Sequence, residues 1–118
     1  MYHMDIQDLA TLLRSYTYQF TSELELQDAV EQVLTQHEIG YTREGYLDGL
    51  DRIDFLVGDI GIEIKIDGSL SAVTRQIHRY LQCDQLNGLI LLSGRYNHTR
   101  VPREMNGKPV LTVWNAVL

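Results

Sequence analysis

The stretch Arg52-Ile53-Asp54-Phe55-Leu56-Val57-Gly58-Asp59-Ile60-Gly61-Ile62-Glu63-Ile64-Lys65-Ile66 decides how this chain folds. Large apolar residues occupy every second position on either side of Gly58-Asp59, the period of a strand with one buried face. A two-residue turn at Gly58-Asp59, favoured by its glycine, sets Val57 opposite Ile60, Phe55 opposite Ile62 and Ile53 opposite Ile64. The same register sets Asp54 directly opposite Glu63, with Lys65 one pleat along on the same face. A slip of one residue would bring Asp54 opposite Ile64 and mix the faces, so the hydrophobic pattern selects the carboxylate pairing.

Directly opposed residues have Cβ atoms roughly 4.5 to 5.5 Å apart, and like charges there are destabilising. A bound Mg²⁺ or Mn²⁺ offsets that repulsion, because hard cations prefer oxygen ligands and leave positions for water and phosphate. The backbone carbonyl of Ile64 is a further candidate ligand. Lys65 beside such an ion can orient or activate a water, or stabilise charge that develops on an attacked phosphate. A half-exposed hairpin with both acids in solvent and Lys65 neutralising Glu63 fits the same spacing, and geometry alone leaves both readings open.

Outward from the hairpin, residues 41–47, 52–57 and 60–66 read as three strands separated by glycine-containing turns. Before them, Ser22 and Glu25 form an S-x-x-E capping box at the start of a helix carrying Leu26, Val30, Val33 and Leu34, which ends near Glu38 with Gly40 as its stop. Earlier still, Ile6, Leu9, Leu13 and Tyr16 stand at helical spacing over residues 5–16. After the hairpin, Ser69 or Ser71 caps a helix running to about Gln82, with Leu70, Val73, Ile77, Tyr80 and Leu81 as its stripe. The unbroken run Leu89-Ile90-Leu91-Leu92 reads as a strand buried on both faces, and residues 109–118 as a last strand after a polar loop with Arg100, Arg103 and Lys108. This order predicts an α/β domain with a mixed central β-sheet flanked by helices.

Asp54, Glu63 and Lys65, written D-x8-E-x-K on a hairpin that follows a Glu-bearing helix, resemble the PD-(D/E)xK nuclease superfamily, which includes Holliday junction resolvases, many restriction enzymes and RecB-like nucleases. Gln76-Ile77-His78-Arg79-Tyr80 matches the Q-x-x-x-Y motif of the RecB-like members. The resemblance spans residues 22–92; it departs in having Ile53, not proline, before Asp54. It implies a restriction-endonuclease-like core and a nuclease that hydrolyses phosphodiester bonds in DNA, RNA not excluded, with water as nucleophile and Mg²⁺ or Mn²⁺ as cofactor.

The resemblance also implies a supporting glutamate from the first core helix. Glu23 lies about 20° from Val30 around that helix, whereas Glu25 lies on the far side and serves the cap, so Glu23 is the expected supporting and metal-binding residue. Gln76 and Tyr80, one turn apart, are expected to orient the lysine, the water or the phosphate. Without the family pattern, a core tyrosine and a rim glutamine would be the preferred explanation of both. Arg52, Arg75 and Arg79 are candidate phosphate contacts, although a solvated helix face suits the last two as well.

The 118 residues, 44% of them apolar, suffice for one domain, with residues 1–20 as a helical extension and 21–118 as the core. No apolar run approaches a membrane span, nothing at the N-terminus resembles an export signal, and the lone Cys83 fits a reducing cytoplasm. A formal charge of −6 speaks against a protein that coats nucleic acid non-specifically. His3, His37, His78 and His98 have no zinc-site spacing. An aromatic sugar platform, which a glycosidase carboxylate pair would need, is missing from the pattern. The acidic balance and the apolar stripe of the first helix suggest a homodimer, or a nuclease subunit of a larger DNA-processing complex. The rival from another class is a non-catalytic nucleic-acid-binding or assembly module on the same fold.

Overall fold

The computed structural model describes residues 4–47 and 51–115. Helices α1 (Ile6–Arg14) and α2 (Glu23–Gln36) precede strands β1 (Thr42–Leu47), β2 (Asp51–Val57) and β3 (Ile60–Lys65). Helix α3 (Leu70–Tyr80), strand β4 (Gly88–Ser93), a 3-10 turn (Tyr96–Arg100) and strands β5 (Glu104–Met105) and β6 (Lys108–Trp114) complete the chain. The turn and β5 occupy the expected polar loop, and Lys108 opens β6 with its ammonium on the carbonyls of Leu81 and Cys83. His3, Gly49 and the end of the expected last strand lie outside the described residues.

Short polar side chains set the helix starts. Asp5 accepts the Gln7 amide, Ser22 that of Glu25, and Ser69, not Ser71, that of Ala72. Glu25 reaches the amide and hydroxyl of Thr21 instead of the expected Ser22 amide. At the other end of α2 the expected glycine stop is displaced: Glu38 takes the left-handed conformation, φ 57°. Its amide bonds to the Thr35 carbonyl and that of Ile39 to the Leu34 carbonyl, a Schellman closure in which Ile39 joins Leu34 in the core.

The sheet order is β1-β2-β3-β4-β6-β5, antiparallel through β1, β2 and β3 and parallel through β3, β4 and β6. β4 lies between two parallel neighbours and is buried along its whole length, as its apolar run predicts. Alternate residues of the sheet feed two cores, Ile62, Ile64, Ile90 and Leu92 beneath α1 and α2, and Leu89 and Leu91 beneath α3. The result is a sheet between two helical layers. Among the described residues, no helix is long and apolar enough to cross a membrane. The stripe of α1 corrects the ground for expecting a partner there. Leu9 and Leu13 are fully buried in this chain's own core, with Ile6 and Tyr16 packed against it, and α1 lies across β6 and β4.

The hairpin turns as expected, with Gly58 at φ 60° and Val57 paired to Ile60, Leu56 to Gly61 and Phe55 to Ile62. Simple alternation fails one step later. Phe55 and Val57 join the core under α1 and α2, but Ile53 joins the one under α3. The faces exchange at Asp54. Opposite it, Glu44 of β1 takes φ 55°, and this pair is skipped in a β1–β2 ladder that otherwise keeps register from Thr42–Leu56 to Leu47–Asp51. A left-handed L-residue costs roughly 1 to 2 kcal/mol, so Glu38 marks a site for improvement away from the carboxylates. Glu38→Gly should raise the unfolding free energy by about 1 kcal/mol in urea denaturation; an unchanged or lower midpoint would mean that the Schellman closure does not hold in solution.

Candidate active site

Where β2 and β3 stop pairing, the two carboxylates take over the backbone donors. Asp54 Oδ2 accepts the Ile64 amide at 2.8 Å, and Glu63 Oε1 accepts the Asp54 amide at 3.3 Å. This corrects the expected ladder pair of side-by-side acids and the pairing of Ile53 with Ile64. The strands part after Phe55 and Ile62, and hydrogen bonds to amides offset part of the repulsion between the two acids.

Both neighbouring helices supply groups. From α2, Gln27 Nε2 donates to Asp54 Oδ1 at 3.2 Å, while its own oxygen accepts from Arg43, which is ion-paired to Asp28 and Glu31. Sequence reasoning missed Gln27, yet it stands one turn from Glu23 on the edge of the same buried stripe, and the angle that selects Glu23 also admits it. From α3, Gln76 Nε2 donates to the Tyr80 hydroxyl at 2.9 Å. That hydroxyl lies 3.0 Å from the Arg52 carbonyl and 3.3 Å from Glu63 Oε2. Its single proton can serve only one of these acceptors at a time. Lys65 Nζ stands 3.4 Å from Glu63 Oε2. Thus Asp54, Glu63, Lys65, Gln76 and Tyr80 come together as expected.

Burial dominates the electrostatics. Glu63 is only 3% exposed, and burial first, then the charge of Asp54, pushes its carboxyl up to about 8 despite Lys65 and the Asp54 amide. Burial also raises Asp54, opposed by the Ile64 amide. Glu23 is raised by burial and by Asp54, and lowered by Lys65 and a bond from the Ile66 amide, which places it at the edge of the same group. The Tyr80 phenol is held well above its ordinary value by burial and by both acids.

The arginines sit further out. Arg52 is exposed over the Tyr46 ring, 3.9 Å from Glu44, and Arg79 is ion-paired to Asp51 at 3.0 Å. Arg75 lines a surface depression with Thr74, His78, Pro102, Glu104 and Met105, which none of the site carboxylates lines.

Asp54 and Glu63 fit a hard divalent cation in one physical respect. Glu63, buried, and Asp54, half-buried, resist ionising together because burial penalises both charges and a single ammonium, that of Lys65, faces them; a cation between them would supply the missing positive charge. Among the described residues, no three His, Cys, Asp or Glu side chains converge into a ligand set, and Glu23 is engaged with the Ile66 amide. Asp54 and Glu63 stand at the centre of this group of acids, with Glu23 at its edge.

Compared with protein-family models, with curated proteins and with solved structures, the chain matches none.

The raised carboxyl of Glu63 has a signed consequence. Between about 4.5, its ordinary value, and about 8, the folded protein keeps a proton that the unfolded chain releases, so stability is full at the acid end and falls as pH rises. In metal-free buffer the urea midpoint of the wild type should fall from pH 5 to pH 8.5, and Glu63→Gln should flatten that fall and be the more stable at pH 8.5. An equal slope in both proteins would place the burial cost elsewhere.

Proposed function

We propose that this protein is a divalent-metal-dependent nuclease with a restriction-endonuclease-like core, cleaving phosphodiester bonds in DNA. The observation that carries this reading is the parting of β2 and β3 around Asp54 and Glu63, with Lys65 at 3.4 Å from Glu63 and α2 and α3 closing on the same point. The order of elements supports it: a helix with an inward glutamate, three antiparallel strands, a helix with Gln76 and Tyr80, then a parallel strand.

Mg²⁺ or Mn²⁺ held by Asp54 and Glu63, with the Ile64 carbonyl as a further oxygen, would polarise the scissile phosphate and make a bound water more acidic. The chain's own residues prepare that chemistry. The Ile64 amide and Gln27 fix the two oxygens of Asp54, and Tyr80, held by Gln76, fixes Glu63. Lys65, whose side chain keeps 22% exposure, faces the position of an attacked phosphate and stabilises its developing charge. Glu23, at the edge of the group, adds a further negative charge in the field of Lys65. Water is the nucleophile, and Arg52, Arg75 and Arg79 are phosphate contacts at the periphery. A net charge of −6 favours work within a larger DNA-processing assembly whose partners supply more of the DNA surface.

Under single-turnover conditions with Mg²⁺ or Mn²⁺, Lys65→Ala should slow cleavage roughly 10²-fold or more with little change in DNA affinity. Glu63→Gln should stop cleavage and keep the fold. The Arg75→Ala/Arg79→Ala double substitution should instead weaken binding on all sequences and lower the salt slope by about two units, with the saturated rate preserved. Cleavage by Lys65→Ala and Glu63→Gln at the wild-type rate would sink the nuclease assignment.

A further inference from the structure

Two large rings stand in the open next to this site. Tyr96 is 64% and Trp114 43% exposed, and they meet edge to face with centroids 4.9 Å apart. Single exposed aromatics need no explanation; this pair is held in a particular place. Lys65 pairs in register with Ser93, and Ser93 with Trp114. The three residues form one row across β3, β4 and β6, so their side chains leave the sheet on the same face. Two strand spacings put Trp114 about 10 Å from Lys65 along that row, a span adjoining nucleotides of one strand can bridge.

Tyr96 is anchored from below. The buried His98 of its 3-10 turn takes the Ser93 hydroxyl at 2.6 Å and reaches the Gly68 carbonyl at 2.8 Å. A carbonyl only accepts, so the ring donates from Nε2 and accepts the Ser93 proton at Nδ1. Arg95 adds its amide to Ser93 Oγ and an ion pair to Asp67, and the Gly94 amide bonds to the Lys65 carbonyl. The turn that carries Tyr96 is thus fastened to the segment that leaves Lys65.

We propose that the Tyr96–Trp114 pair is a stacking platform for an unpaired base of a DNA strand whose neighbouring phosphate lies at Lys65. This rests on the nuclease reading for the position of that phosphate and makes single-stranded DNA, or an unpaired segment of a branched one, the substrate class. Rigid exposed aromatics bind unpaired bases whatever their sequence, each stacked base contributing substantially to affinity. Edge-to-face packing leaves ring faces uncovered, and the His98–Ser93 clamp holds them without ligand, so little ordering is needed on binding.

Trp114 is the sole tryptophan, so its emission reports on the platform directly. In EDTA, where the nuclease reading allows no cleavage, a short oligothymidylate should quench it. Tyr96→Ala should weaken affinity about tenfold, and Tyr96→Phe should restore it. That loss should persist at high salt, where phosphate contacts fade. A strand of the same length built of abasic sites should leave the emission unchanged. Equal quenching by the abasic strand, or single-strand affinity unaffected by Tyr96→Ala, would overturn the platform. Emission that shifts on dilution of the protein alone would also overturn it, since the rings would then cover a second copy. Quenching without any cleavage in Mn²⁺ would defeat the nuclease reading and leave the platform standing; cleavage without quenching would defeat the platform alone.

Discussion

The bond from the Ile64 amide to Asp54 is the contact on which the rest of the site depends. An amide of β3 that would otherwise serve an inter-strand ladder is given to a side chain of β2, and the two strands cannot pair beyond that point. The parting lets Glu63 reach back to the Asp54 amide and brings it under Tyr80. It also goes with the exchange of faces at Asp54, which sends Ile53 and Phe55 to different cores. β1 accommodates the change with a glutamate at positive φ and a glycine beside it. A Cβ on Gly45 would stand 2.3 Å from Leu56 Cδ1, so a larger residue there would have to displace Leu56.

Such an arrangement is a poor choice for stability alone. Two acids, one of them almost wholly buried, face one ammonium, and burial raises both, Glu63 to about 8. Burying these charges carries a desolvation cost, which the hydrogen bonds to the Ile64 and Asp54 amides, Gln27 and Tyr80 offset only in part. Perturbed acids held by several separate elements are characteristic of sites that act on something. Here α2, β2, β3 and α3 all converge on the pair, and every carboxylate oxygen of Asp54 and Glu63 has a named protein partner.

Much of this was legible in the chain. The period-2 pattern gave the turn register, the cap residues gave the helix starts, and the apolar run of β4 gave the buried strand. Periodicity placed Tyr80 in the stripe of α3, but its role beside Gln76 came from a motif, and the structure joins the two by a hydrogen bond. What escaped was whatever breaks a period. Alternation cannot foresee that Asp54 trades a ladder position for the Ile64 amide, because that exchange depends on Gln27 and Glu63 arriving from elsewhere in the chain. Glu38 in a glycine's conformation was hidden for a similar reason: the Ile39 contact that holds it is tertiary. The anchored Tyr96 lay in a stretch with no periodicity, and only the strand register relates it to Lys65.

The central claim is that Asp54 and Glu63 are an incomplete charge balance which a divalent cation completes, and melting the protein against increasing Mn²⁺ or Mg²⁺ tests it most directly. The melting temperature should rise with metal, since the ion binds only the folded pair, and Asp54→Ala should lose that rise. A mutant that responds to metal as strongly as the wild type would contradict the account, because the cation would then be held somewhere other than between these two strands.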